Sequence, residues 1–230
     1  MATVPRRPLL VKKECSFYIA VMARVSQEHL DARRRQILDG AASCFARNGF
    51  HATSMQDVLK ETDLSAGAVY RYFRGKDELI AAIVTEVLDT VRGILEQAIQ
   101  ESPPPTPDVL IPRALTRMRE QRPATLDGGE WMFPRLMIQV WTETTRSPEL
   151  AAVLREGYDN VRRAWGRVAE GYQDAGLMPA DVDTDAVARA MIALVQGFAA
   201  QMALFGGISE RTLGEGLRAL TAMGSARADT

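Results

Sequence analysis

Between residues 65 and 76 the chain reads Ser-Ala-Gly-Ala-Val-Tyr-Arg-Tyr-Phe-Arg-Gly-Lys. Ser65, Ala66, Gly67 and Ala68 are small or polar. Two phenols, Tyr70 and Tyr72, and three cations, Arg71, Arg74 and Lys76, follow them. The chemistry this suits is non-covalent. Small side chains let a backbone approach base edges and thymine methyl groups, while hydroxyl, guanidinium and ammonium groups satisfy phosphates. A second group, Trp131, Phe133, Met137 and Trp141, has Arg135, Gln139 and Glu143 interspersed. Large rings and pliable thioethers with a few polar groups suit an apolar ligand pocket, and plain core packing explains them almost as well. Catalysis has no comparable candidate. His29 and His51 have no acid or nucleophile at a useful spacing, and Cys15 and Cys44 form neither a metal-ligand nor a redox pattern. Gly206-Gly207 follows no strand pattern and reads as a helix stop, not a phosphate loop. The expectation is a protein that is not an enzyme and uses no cofactor or metal.

The elements that must position these residues are helical throughout, because apolar residues recur at steps of three and four and no alternating strand pattern appears. A first helix with Ile37, Ala41, Cys44 and Phe45 on one face stops near Asn48-Gly49. Thr53 with Gln56 reads as a capping box opening a short second helix that buries Met55, Val58 and Leu59. Thr62-Asp63-Leu64 is a turn, and Ser65 caps a third helix, to about Phe73, that buries Val69 and Phe73. After Gly75 a long fourth helix carries Leu79, Ile83, Val87, Val91, Ile94 and Leu95. The prolines at 103–105 and 107 force a loop. Further helices are expected at about 109–121, 131–146, 148–175, 184–205 and 209–223. The helix from 148 opens with Ser147-Pro148-Glu149: a cap, a first-turn proline and an acid near the positive end of the dipole. Two short helices joined by a tight turn on a preceding amphipathic helix make a helix-turn-helix, whose second helix, here from Ser65, enters the major groove.

Charge divides along the chain. Residues 1–76 carry +6 and the remainder −7, although the net charge is only −1. A basic polyanion-binding part joined to an acidic part fits this asymmetry. With 230 residues, 47% of them hydrophobic, a sizeable core is available. No apolar run approaches the roughly 18 residues that cross a bilayer. Cys15 to Ala23, preceded by Arg6, Arg7, Lys12 and Lys13, is too short for a secretory signal and lacks a convincing cleavage site. The expected location is cytoplasmic, with no membrane partner. Residues 1–21, low in pattern, read as a disordered or non-native extension. Residues 22–76 read as the DNA-binding domain and 77–230 as a ligand-binding and dimerisation domain. A basic arm touching DNA is the rival reading of the extension.

The stretch RRRQILDGAASCFARNGFHATSMQDVLKETDLSAGAVYRYFRGKDELIAAIV, about residues 33–84, resembles the tetracycline-repressor (TetR) family of transcriptional regulators. FARNGFHATSMQDV and LSAGAVYRYFRGKDEL carry the likeness most strongly. The resemblance implies a phosphate contact at Thr53, base reading by Ser65, Ala66 and Ala68, and backbone and neighbouring-base contacts from Tyr70 and Tyr72. It also implies a phosphate contact at Lys76, and a homodimer that represses transcription until a ligand binds. Two positions depart from the pattern: Asp63 replaces a usual turn glycine and Leu59 a usually small residue. Asp tolerates the left-handed conformation better than most residues, so the turn is expected to survive. The reader helix has few long side chains, which shifts specificity towards DNA shape and Arg71.

Beyond residue 110 the resemblance is loose. The helix from 148 has one clean apolar stripe: Leu150, Leu154, Tyr158, Val161, Trp165, Val168 and Tyr172. The helix from 184 has two, one holding Val187, Met191, Leu194 and Phe198, the other Ala188, Ile192, Val195, Ala199 and Met202. A helix apolar on two faces must be covered twice. With Leu213, Leu217 and Leu220 it suits a four-helix interface between two copies, or a central place in its own domain. Trp131, Phe133, Met137 and Trp141 packed opposite Tyr158, Trp165 and Tyr172 would enclose an effector site, with Arg135, Gln139 or Glu143 orienting a small apolar effector. The expected partners are double-stranded DNA with a palindromic operator, that effector, and a second copy. The alternatives are a helical protein-interaction module reusing the fold, and an activator.

Overall fold

The computed structural model describes residues 11–121, 125 and 129–225, with side chains described from residue 27 to 222. Among the described residues the elements are helices: α1 (Val11–Asn48), α2 (Met55–Thr62), α3 (Ala66–Tyr70), α4 (Lys76–Ala98) and α5 (Pro107–Gln121), then α6 (Met132–Thr144), α7 (Pro148–Asp174), α8 (Thr184–Phe205) and α9 (Glu210–Ser225). Helix α1 is continuous from Val11, and residues 1–10 of the expected 1–21 extension lie outside the described residues.

Local chemistry sets the helix ends. Gly49, at φ 82°, takes the left-handed conformation that closes α1, and its N–H donates to the Phe45 carbonyl at 2.9 Å. The capping box at the start of α2 lies one residue later than expected. Ser54, not Thr53, is the cap, and its hydroxyl accepts from the Asp57 N–H while the Asp57 carboxylate accepts from the Ser54 N–H at 2.8 Å. The Thr53 side chain is instead buried against the end of α1, where its hydroxyl donates to the Gly49 carbonyl at 2.8 Å and lies 3.2 Å from the Cys44 carbonyl. Asp63 ends α2 at φ 52°, ψ 43°, with its N–H donating to Leu59 and Lys60, so the left-handed turn forms without glycine. Ser65 caps α3 by accepting from the Ala68 N–H, and turn bonds from Tyr72 and Phe73 to the Val69 carbonyl extend its curl.

Two apolar cores follow. The first gathers Ile37, Leu38, Phe45, Val58, Val69 and Phe73 with Leu79, Ile80 and Ile83 of α4, and takes in Met132, Leu136 and Val140 of α6. The second joins the far end of α4 (Ile94, Leu95) to α5, Trp131 and Phe133, Trp165 and Val168 of α7, Phe198 of α8 and Leu217 of α9. Each large side chain fully buried in these cores contributes about 1.5–3 kcal/mol. Both α4 and α6 therefore belong to both cores. Gly157 of α7 lets α4 come close, since a Cβ there would lie 2.3 Å from Leu88 Cδ1. Tyr172 leaves the apolar stripe at its tip: its hydroxyl donates to the Pro105 carbonyl, and burial pushes the phenol well above its usual range, fixing it as a protonated donor. It thereby pins the proline-rich loop.

One reading of the sequence needs correction. Helix α8, although interrupted by Asp185, Arg189, Gln196 and Gln201, is long and apolar enough to cross a membrane by length and composition, and only 17% of its most apolar window is buried within the chain.

Candidate nucleic-acid interface and ligand cavity

The reader residues emerge on one exposed surface. Ser65, Ala66, Gly67, Tyr70 and Arg71 are exposed, with Tyr70 at 48%, while Ala68, Tyr72 and Lys76 are half-buried. Nothing lies within 4 Å of a Cβ built on Gly67, so the start of α3 is open to a close-approaching partner. Val69 and Phe73 face the other way and are buried, which fixes the rotation of α3. Thr53 does not join this surface. Its 1% exposure and two inward hydroxyl bonds remove its side chain from a phosphate contact, correcting the expectation drawn from the resemblance. Lys76 has structural work as well: Nζ donates to the Phe50 carbonyl at 2.9 Å and lies 4.8 Å from the centre of the Phe50 ring. Arg34 is likewise committed inward, pairing with Glu86 and lying over Phe73, whereas Arg33 engages Gln36 on the exposed side.

Electrostatics supports the motif from beneath. The Ser54 hydroxyl and backbone N–H hold the Asp57 carboxyl below its ordinary value, so the box stays charged and closed. Burial pushes the Cys44 thiol up, with the Glu61 charge adding to it, which leaves Cys44 a packing residue and not a nucleophile.

A cavity fills the middle of the second core. Of the side chains expected to enclose it, Trp131, Phe133, Met137, Trp141, Tyr158 and Trp165 line it, whereas Tyr172 does not, its hydroxyl being turned to Pro105. Spacing alone left the residues of the other walls unnamed: Val87, Leu88 and Val91 of α4, Ile111 and Leu115 of α5, and Ile192, Gln196 and Met202 of α8. The four-residue step of Val87, Val91 and Leu95 was the available signal for the α4 wall. The cavity volume is about 120 Å³, ample for more than a single solvent molecule. The Trp131 and Phe133 rings lie 5.1 Å apart in the wall, and the Arg119 guanidinium stacks 4.9 Å from Trp131.

The expected polar anchors are absent from the lining. Arg135 pairs with Glu130, Gln139 lies against Gly49, and Glu143, though only 8% exposed, reaches His51. The helical step explains this: Phe133, Met137 and Trp141 share the face of α6 turned to the cavity, 132, 139 and 143 lie on the side turned to α1, and Leu136 and Val140 stand between the two. His51 Nε2 sits 3.0 Å from a Glu143 oxygen and 2.9 Å from Arg146 Nη1. Two of the residues read as ligand anchors, Gln139 and Glu143, instead join the cavity helix to the turn between α1 and α2, while Arg135 stays beside Glu130.

The comparisons with known proteins agree with this division. Residues 37–83 match the family of bacterial regulatory proteins, tetR family, and residues 123–223 match the C-terminal domain of BetI-type transcriptional repressors. The HTH-type transcriptional repressor Rv1474c of Mycobacterium tuberculosis is 31% identical over 153 residues, which cover 62% of this chain and 71% of that one. Among solved structures, Salmonella enterica GusR superposes with a TM-score of 0.65 at 25% identity, over 84% of this chain and 94% of its own. The SmeT–triclosan complex reaches 0.67 at 21% identity, over 84% and 91%. With the exposed α3 carried on a TetR-type N-terminal part, and an apolar cavity in a second part that also matches a regulator, this chain belongs to the TetR family of DNA-binding transcriptional regulators.

Proposed function

We propose that the protein is a repressor that grips a palindromic operator as a homodimer, with α3 in the major groove, and releases it when a small apolar molecule occupies the cavity. The observation that carries this reading is shared walls. Side chains of α4 and α6 line the cavity and also build the core beneath α3, with Ile83, Val84, Leu136 and Val140 belonging to both. A ligand that favours one setting of these helices must change the separation of two reader helices, and only differential affinity for the two settings produces release. That one related fold has been solved with triclosan supports a small aromatic occupant.

Dimerisation is supported by what a single chain leaves uncovered. Most of the apolar window of α8 is unburied, Leu204 and Phe205 are 66% and 78% exposed, and Leu220 of α9 is also exposed. A second copy covering α8 and α9 makes a four-helix interface and sets the reader helices about one DNA turn, roughly 34 Å, apart.

DNA recovered by the protein from a random pool tests the reading. The expected sequences contain inverted repeats, bind less tightly as salt rises, and bind more weakly to Tyr70→Ala and Lys76→Ala, while Arg71→Ala also alters which bases are preferred. Unchanged affinity in both Tyr70→Ala and Lys76→Ala, or a monomer mass by light scattering at micromolar concentration, overturns it.

A further inference from the structure

Building on the ligand cavity proposed above, we infer that its occupant is an uncharged, mostly apolar molecule bearing a hydrogen-bond acceptor, and that this acceptor takes the phenol proton of Tyr158. The Trp141 indole Nε1 donates to the Tyr158 hydroxyl at 3.1 Å, tying α6 to α7 across the cavity wall. That bond uses a lone pair of the phenol oxygen and leaves its proton to donate. Among the described residues none accepts that proton. Indole and phenol together therefore form a short donor chain ending in the cavity, and a donor polarised in this way binds an acceptor more strongly than an isolated phenol does.

Charge and position narrow the occupant further. Among the described lining residues there is no Asp, Glu, Lys, Arg or His. A carboxylate or phosphate entering would lose its water without gaining a counter-charge, which is prohibitive, whereas a ketone or ether oxygen loses little and regains one hydrogen bond. Trp141, Tyr158 and Gln196 also border a more open depression with Thr144, Gly197 and Ala200. The donor pair thus stands where the cavity meets its mouth. The acceptor end of the ligand lies there, and the apolar body points inward towards Phe133 and Trp165.

Three two-ring compounds test the inference by calorimetry on the full chain: benzophenone, diphenylmethane, which replaces the carbonyl by a methylene, and 2-benzoylbenzoate, which adds a carboxylate. Tyr158→Phe should weaken benzophenone about fivefold or more, the worth of one net hydrogen bond, and leave diphenylmethane within twofold. The wild-type protein should bind 2-benzoylbenzoate at least tenfold more weakly than benzophenone. The diphenylmethane arm also reports that the variant's cavity is intact. Equal effects of Tyr158→Phe on benzophenone and diphenylmethane, or 2-benzoylbenzoate binding as tightly as benzophenone, overturn this inference and leave the apolar cavity site standing. Failure of the wild-type protein to bind either neutral compound overturns both.

Discussion

Gly40 sits where α1 crosses α2, and a single methyl group there probes how closely the helix-turn-helix is built. A Cβ on Gly40 would lie 2.4 Å from Thr62 Cγ2, when ordinary contacts fall at 3.4–4 Å, an overlap of about 1 Å. Thr62 cannot swing aside. It is 4% exposed and its hydroxyl donates to the Val58 carbonyl at 2.9 Å, which fixes the β-branched side chain. Overpacking of this kind costs about 1–3 kcal/mol, and replacing an interior helical glycine by alanine returns up to about 1 kcal/mol. Gly40→Ala should therefore destabilise the protein by about 1–2 kcal/mol, or roughly 2–8 °C in melting temperature for a chain of this size. Thr62→Ser removes the clashing methyl and keeps the hydroxyl bond, so in that background Gly40→Ala should be neutral or stabilising. Thermal melts of the four proteins in the cycle, followed by circular dichroism, measure the coupling. If Gly40→Ala raises the melting temperature with Thr62 in place, the close crossing and the argument built on it are wrong.

Other expectations follow from the same region. Asp63 holds a left-handed conformation that costs L residues about 1–2 kcal/mol, so urea titration should find Asp63→Gly as stable as the natural protein or slightly more so, and Asp63→Val less stable by about that amount. Asp57 has its carboxyl value lowered by Ser54, first through the side chain and then the backbone. Its contribution is thus complete above the ordinary carboxylate value near pH 4 and disappears as pH falls through the lower folded value. Asp57→Asn should accordingly be less stable than the natural protein at neutral pH, with the difference fading on acidification; a constant difference from neutral to strongly acid pH would refute that assignment. Replacing Leu204 and Phe205 together by Glu should convert dimer to monomer in sedimentation, and a dimer that survives the change would place the interface elsewhere.

Much of this architecture is legible from residue spacing because single positions enforce it. Gly49, the 103–105 prolines, Ser147-Pro148 and the Gly206-Gly207 pair mark ends that the chain observes closely. The capping box was misplaced because Thr53 and Ser54 are both competent caps. Only tertiary structure reveals that the Thr53 side chain is buried against the end of α1. The aromatic cavity residues were readable as a cluster, but the fate of Arg135, Gln139 and Glu143 was not, since their roles depend on how α6 rotates between two cores. Periodicity gives one preferred face per helix, and α6 has two. Helix α8, whose two apolar faces are legible from spacing, misled in another way: scattered polar residues break its apolar run, yet the helix as a whole stays apolar enough to cross a membrane by length and composition.

Coupling between the cavity and α3 is the central claim, and operator release is its most direct measure. Anisotropy of labelled DNA, selected by the protein from a random pool, should be titrated with protein in the absence and presence of saturating benzophenone. A loss of affinity on the order of a hundredfold is predicted, equivalent to about 2.7 kcal/mol of coupling, with no loss when the protein is replaced by a variant whose cavity no longer binds the compound. Tight binding of the compound together with unchanged operator affinity would contradict the account.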